Sequence, residues 1–66
     1  MVAFRVDDMT CGRCAGRIAQ AIRDVDAQAQ VAVDVPARLV WVDAPDADGE
    51  TIAEAIRDAG YAPEAA

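Results

Sequence analysis

Apolar and polar side chains alternate along the first residues of the chain, where residues 2–6 read Val-Ala-Phe-Arg-Val. A period of two is typical of a half-buried β-strand. The same period recurs over residues 31–35 and predicts a second strand, which Pro36 ends. The apolar run over residues 39–42 predicts a third strand. Within it, Val40 and Val42 share the face expected to turn inward, so that Leu39 and Trp41 point away and form either local packing or a partner surface.

From Arg13 onwards the hydrophobic pattern takes the period of a helix, which we expect to end near Val25. A second helical pattern follows Asp48, a residue type that caps helix N-termini, and stops at Gly60, a residue type that ends helices in the left-handed conformation. The residues predicted to form the buried faces of the two helices are Ala15, Ile18, Ala19, Ile22 and Val25 in the first, and Ile52, Ala55, Ile56 and Ala59 in the second.

A short fourth strand is predicted over residues 61–63, at an edge of the sheet, because Pro63 has no N–H to donate to a neighbouring strand. The resulting order is βαββαβ. The segment at residues 18–24 is echoed at residues 52–58, which favours two similar βαβ halves. We therefore predict an α+β fold, a ferredoxin-like βαββαβ sandwich with two helices on one face of a four-stranded antiparallel sheet.

Length and charge exclude several classes of function. A chain of 66 residues allows one small domain, expected to span residues 1–66. Its net charge of −6 argues against binding nucleic acid or an anionic membrane surface. No apolar run approaches the ~20 residues of a transmembrane helix, and the charged start does not resemble a signal peptide. We expect a cytoplasmic protein without membrane insertion.

The candidate chemistry lies in residues 9–14, Met-Thr-Cys-Gly-Arg-Cys, between the first strand and the first helix. Cys11 and Cys14 are the two cysteines of a chain without histidine, whereas a structural zinc site usually takes four ligands. Thiolates are soft ligands that select Cu(I), and this reasoning leaves Ag(I) and Hg(II) open as well. A thiol-disulfide redox site is the alternative that the Cys-x-x-Cys spacing leaves open.

Charge is divided unevenly around these thiols. Residues 11–23 contain three arginines and no acid, a local charge of +3, and the rest of the chain carries three arginines and twelve acids, a charge of −9. Cys14 falls in the first turn of the predicted helix, where the helix dipole favours a thiolate. Arg13 and Arg17 are interpreted either as a solvated helix face or as a docking patch for an acidic partner.

Residues 9–14, the following amphipathic helix, the strand at 31–35 and the segment Ala55–Tyr61 together resemble the heavy-metal-associated domain family, over nearly the whole chain. Within that family the chain resembles the small bacterial copper chaperones of the CopZ type and the N-terminal domains of copper-exporting P-type ATPases. The resemblance implies that Cys11 and Cys14 bind Cu(I). It also implies that Met9 supports the loop from the core, the alternative being a thioether ligand, and that Tyr61 packs near the metal-binding loop.

Other positions bear on which metal is implied. The neutral Thr10 stands where family members that handle zinc, cadmium or lead often carry aspartate, so it favours copper. Two positions depart from the family pattern: Asp8 replaces a usual glycine, and either alters the flexibility of the loop or offers a carboxylate near the metal, and the turn at residues 26–27 lacks the usual glycine.

The function expected from this resemblance is that of a Cu(I) metallochaperone or buffer, not an enzyme. It would pass one ion by thiolate exchange to a copper-exporting P-type ATPase or its metal-binding domain. We expect a free chaperone rather than a transporter domain, acting as a monomer or as a metal-bridged homodimer. The alternatives are a detoxification domain of the same fold that handles Hg(II) or Zn(II), and a thiol-disulfide redox protein.

Overall fold

The computed structural model describes residues 2–66, and six elements follow one another in the predicted order. They are β1 (Val2–Val6), α1 (Gly12–Val25), β2 (Gln30–Asp34), β3 (Leu39–Asp43), α2 (Gly49–Asp58) and β4 (Pro63–Ala65). Within residues 2–66, no helix combines the length and the apolar character needed to cross a bilayer.

The four strands form one antiparallel sheet in the order β2-β3-β1-β4. β1 therefore lies inside the sheet, with Phe4 opposite both Val40 of β3 and Ala65 of β4. Because β1 and β3 are antiparallel, the end of β1, the turn between β2 and β3 and the start of β4 all meet at one end of the sheet. This arrangement confirms the predicted ferredoxin-like sandwich.

The core lies between the sheet and the two helices. Val40 and Val42 are fully buried, whereas Leu39 and Trp41 are half-buried on the opposite face, as the alternation predicts. Trp41 lies between Ala3 of β1 and Ala32 of β2 on that face. The largest fully buried side chains are Met9, Ile18, Ile22, Ile52, Ile56, Val6, Val40 and Val42.

Both ends of α2 are capped as the sequence predicts. The Asp48 side chain accepts a hydrogen bond from the amide of Thr51 at 2.8 Å, which satisfies a free N–H of the first turn. At the other end Gly60 has a φ of +98°. The Gly60 amide donates to the carbonyl of Arg57, and the Tyr61 amide donates to that of Ile56. These two bonds form a Schellman motif, which fixes the direction in which the chain leaves the helix.

Two predictions about packing are wrong in detail. The fourth strand is Pro63–Ala65 rather than residues 61–63, because the Schellman motif uses the amide of Tyr61 and the strand starts only after it. Val25, assigned to the buried face of the first helix, is 48% exposed. It lines a groove between α1 and α2 whose other apolar walls are Ala21, Ala55 and Ala59, side chains too small to cover it.

Candidate metal centre

The loop between β1 and α1, residues 7–11, which we call the metal loop, is anchored in the core by Met9. This side chain is fully buried, and its amide donates to the carbonyl of Val6 at 3.1 Å. The two residues between these anchors, Asp7 and Asp8, form an exposed turn. The burial of Met9 agrees with the supporting role that the family resemblance implies.

Cys11 and Cys14 come together at the N-terminus of α1. Cys11 is the N-cap residue, outside the helix and exposed, whereas Cys14 lies in the first turn and is half-buried. Their Sγ atoms are 3.3 Å apart and both thiols are free. The first turn of α1 contains no acidic residue, so the positive end of the helix dipole acts on the sulfurs without an adjacent carboxylate in that turn.

The surroundings of Cys14 favour its thiolate. The pKa of the Cys14 thiol is lowered from 9.0 to about 7, first by a hydrogen bond with the Tyr61 hydroxyl, then by one with Cys11 and by the backbone amide of Thr10, while burial opposes the change. In return, the same hydrogen bond raises the pKa of Tyr61. A pKa near 7 means that the Cys14 thiol loses its proton readily at neutral pH.

Tyr61 reaches this site because of the way α2 ends. It is the residue after Gly60 in the Schellman motif, and it packs half-buried against the core cluster. The prediction that Tyr61 lies near the metal loop agrees with the effect of its hydroxyl on the pKa of Cys14. The positive charge of Arg17 also acts on the Tyr61 hydroxyl, which places that arginine near the site. Arg13 and Arg17 are both exposed on α1.

Asp8 turns toward the segment that carries Tyr61. Its Oδ1 atom accepts a hydrogen bond from the amide of Ala62 at 3.4 Å. Within residues 2–66, no group of three or more Cys, Asp or Glu side chains is placed to hold a metal ion together. In this structure the Asp8 carboxylate is engaged by the amide of Ala62, and its role toward a metal stays a prediction.

One residue that contacts the metal loop has no signal in the sequence. Arg38, the last residue of the turn between β2 and β3, adopts a left-handed backbone conformation and donates from Nη1 to the Asp7 carbonyl at 2.8 Å. The hydrophobic pattern shows that residues 36–38 lie outside a strand, but it gives no hint that an arginine takes a conformation favoured by glycine. The hydrophobic pattern also gives no indication of a long-range contact made by an exposed side chain.

The structure is thus a βαββαβ sandwich whose first helix begins with two adjacent free thiols. Comparison with protein families specifies the class of protein. The model of the heavy-metal-associated domain matches residues 3–62, and the chain belongs to that family. Among curated proteins the chain finds no match.

Solved structures of the same fold cover nearly all of the chain. A gold-binding protein is 39% identical, with 100% of each chain covered and a TM-score of 0.93. The copper chaperone Atx1 of Synechocystis is 31% identical, with 97% of this chain and 100% of that one covered and a TM-score of 0.92. The Agrobacterium tumefaciens protein Atu1203 is 45% identical, with coverages of 96% and 97% and a TM-score of 0.83.

Proposed function

We propose that this chain is a copper chaperone that carries one Cu(I) ion between Cys11 and Cys14 and is not an enzyme. The observation that carries the proposal is the pair of free thiols, 3.3 Å apart at the positive end of a helix. Two soft ligands suffice for a d¹⁰ monovalent ion, whereas zinc in structural sites takes four. The likeness to a copper chaperone over the full length of that chain supports the same cargo.

Metal binding requires the two sulfurs to move apart. With metal–sulfur bonds of about 2.3 Å, as for zinc, a separation of 3.3 Å corresponds to an S–metal–S angle of about 90°. Linear two-sulfur coordination needs a separation of about 4.6 Å. Cys14 is held in α1, so Cys11, which is exposed and outside the helix, is the residue that moves.

Transfer follows from the exposure of Cys11. We propose that a thiolate of the acceptor bonds to the bound ion to give a three-sulfur intermediate, after which the bond to one donor sulfur breaks. A second exchange of the same kind releases the ion. Each step forms one metal–sulfur bond and breaks one, so no electron is gained or lost. The lowered pKa of Cys14 lets this sulfur leave as a thiolate at neutral pH with little need for a proton.

The proposed acceptor is the metal-binding domain of a copper-exporting P-type ATPase. Arg13 and Arg17 are exposed on the helix that carries Cys14, in a chain whose net charge is −6. An acceptor with acidic residues around its own thiols would therefore be steered toward this end of the molecule. We propose that residues 1–66 act as one domain in this exchange, as a monomer.

The ligand assignment is tested by exchanging sulfur for oxygen one atom at a time. Cys11→Ser, Cys14→Ser and the double variant are titrated with Cu(I) and followed by mass spectrometry under native conditions. We expect one ion bound by the wild type, loss of tight retention in every variant, and unchanged far-ultraviolet circular dichroism. Thr10→Ser, a change beside the site that leaves both sulfurs in place, is the matched control. Equal Cu(I) affinity of the double variant would overturn the proposal.

The identity of the metal is tested by competition. Zn(II), Hg(II), Ag(I) and Au(I) are each added to the Cu(I)-loaded protein. We expect Zn(II) to leave Cu(I) in place, because two sulfurs without a third or fourth ligand suit zinc poorly. A gold-binding protein 39% identical to this chain favours Au(I) as a second cargo, and Ag(I) and Hg(II) share the same soft chemistry. Displacement of Cu(I) by equimolar Zn(II) would contradict the assignment and favour a zinc-handling detoxification domain, whereas displacement by Hg(II) and not by Zn(II) would favour a mercury-handling one.

The proximity of the thiols and the pKa of Cys14 near 7 also support a second candidate, thiol-disulfide exchange. The two functions differ in their response to a strong Cu(I) chelator. A redox protein would reduce a disulfide substrate at the same rate with and without the chelator. A chaperone would show no catalytic turnover in either condition.

A further inference from the structure

Arg38 contacts the junction between β1 and the metal loop with both its backbone and its side chain. Its carbonyl accepts a hydrogen bond from the amide of Val6 at 2.9 Å, and its Nη1 donates to the carbonyl of Asp7 at 2.8 Å. The two bonds engage consecutive residues at the end of β1. The backbone and the side chain of Arg38 thus bind the chain at the point where it leaves the sheet and enters the metal loop.

Arg38 makes these contacts in an unfavourable backbone conformation. Its φ is +58°, in the left-handed region, and it is the one residue other than glycine with a positive φ among residues 2–66. Glycine would adopt this conformation without steric cost and would preserve the bond from its carbonyl to Val6. The guanidinium, which glycine lacks, is therefore the feature that distinguishes arginine at this position, and its partner is the metal loop.

We infer that Arg38 is a positioning residue for the metal site, an inference that rests on the proposed function. Before Cys11 the backbone of the metal loop is held by the guanidinium at the Asp7 carbonyl and by Met9 in the core. The side chains of Asp7 and Asp8 add contacts with Arg5 and with the amide of Ala62. Without the guanidinium the Asp7 carbonyl loses its partner, and the turn is held by Met9 and by the exposed side-chain contacts of Asp7 and Asp8. Cys11, two residues further on, is then less well held opposite Cys14, and preorganisation of the two-sulfur site decreases.

The test compares Arg38→Gly with variants that isolate each property of the side chain. Arg38→Gly removes the guanidinium and relieves the backbone strain, so we expect a melting temperature equal to or above that of the wild type. Loss of one charge-assisted hydrogen bond at an exposed site predicts that Cu(I) passes to a colorimetric chelator roughly three to ten times faster. Arg38→Lys, which retains a charged donor, should restore most of the retention. Arg23→Ala removes the same charge from α1 without a contact to the loop and should behave as the wild type.

A second measurement needs no metal. In the metal-free protein, the amide of Met9 is protected by its bond to the carbonyl of Val6, and we expect Arg38→Gly to accelerate its hydrogen exchange several-fold while amides of α2 stay unchanged. Unchanged exchange together with unchanged Cu(I) release would overturn the role of Arg38. Failure of the wild type itself to bind Cu(I) would contradict the proposed function instead, and the exchange measurement would still decide whether Arg38 orders the loop.

Discussion

The hydroxyl of Tyr61 is the largest single cause of the lowered pKa of Cys14, and Tyr61→Phe removes that hydroxyl alone. The ring remains packed against the core and the Schellman motif remains formed, because both its bonds are made by backbone atoms. The variant therefore changes one hydrogen bond to the thiolate and leaves the position of Cys14 in α1 as it is.

The expected effect of Tyr61→Phe on the alkylation rate follows from the shift in the pKa of Cys14. The pKa of Cys14 falls from 9.0 to about 7 through several contacts, of which the one with Tyr61 is the largest. Loss of that contact should return the pKa to about 8. At pH 7 the thiolate fraction would then fall from about one half to about one tenth, so that the rate of alkylation of Cys14 falls about fivefold.

The assay is alkylation of the metal-free protein by iodoacetamide between pH 5.5 and 9.5, with peptide mass analysis to separate Cys14 from Cys11. The wild-type Cys14 rate should be half-maximal near pH 7 and the Tyr61→Phe rate near pH 8. The lowered pKa of Cys14 also makes the free energy of unfolding depend on pH. A thiol whose pKa is lower in the folded state than in the unfolded state stabilises the fold at pH values above its unfolded pKa. This contribution is lost as the pH falls from about 9 to about 7. Tyr61→Phe should flatten that part of the stability profile.

Identical alkylation profiles for the two proteins would refute the reasoning, since they would show that the helix terminus and Cys11 lower the pKa without Tyr61. The matched control is Phe4→Leu, which replaces a different aromatic side chain, one that does not act on the pKa of Cys14. It should leave the profile at its wild-type midpoint.

Two further substitutions test what holds the ends of α1. Met9→Ala leaves a cavity in the core and should lower the free energy of unfolding, measured by urea denaturation, by about 2–5 kcal/mol. The control Met9→Leu should lower it by less than about 1.5 kcal/mol. Equal losses would show that the thioether is not packed as described. Asp26 is 4% exposed, and its carboxylate accepts hydrogen bonds from the amides of Gln28 and Asp46. Asp26→Ala leaves both amides unpaired and should lower the free energy of unfolding by about 1–3 kcal/mol. Asp26→Asn should lower it less, because one acceptor oxygen remains.

Local sequence signals predict those parts of the fold that depend on local structure. The strand of residues 2–6, the capping role of Asp48 and the left-handed Gly60 all follow from the period or the residue type at one place in the chain, and each is observed. The two thiols also come together as predicted, because Cys-x-x-Cys spacing at a helix start spans one turn.

The features that sequence reasoning misses depend on residues far apart. Val25 has the right spacing to face the core, but its exposure is decided by the small alanines of α2 across the groove. The late start of β4 depends on the Schellman motif, which takes the amide of Tyr61. The contact of Arg38 with Asp7 joins residues 31 positions apart and depends on the register of the whole sheet.

The number and kind of atoms around the bound ion test the central claim most directly. X-ray absorption at the copper edge, on protein loaded with one equivalent of Cu(I) at low protein concentration, counts these neighbours. Coordination by Cys11 and Cys14 predicts two sulfur neighbours and no oxygen or nitrogen. A neighbouring oxygen, which Asp8 would supply, or an absence of sulfur would contradict the account.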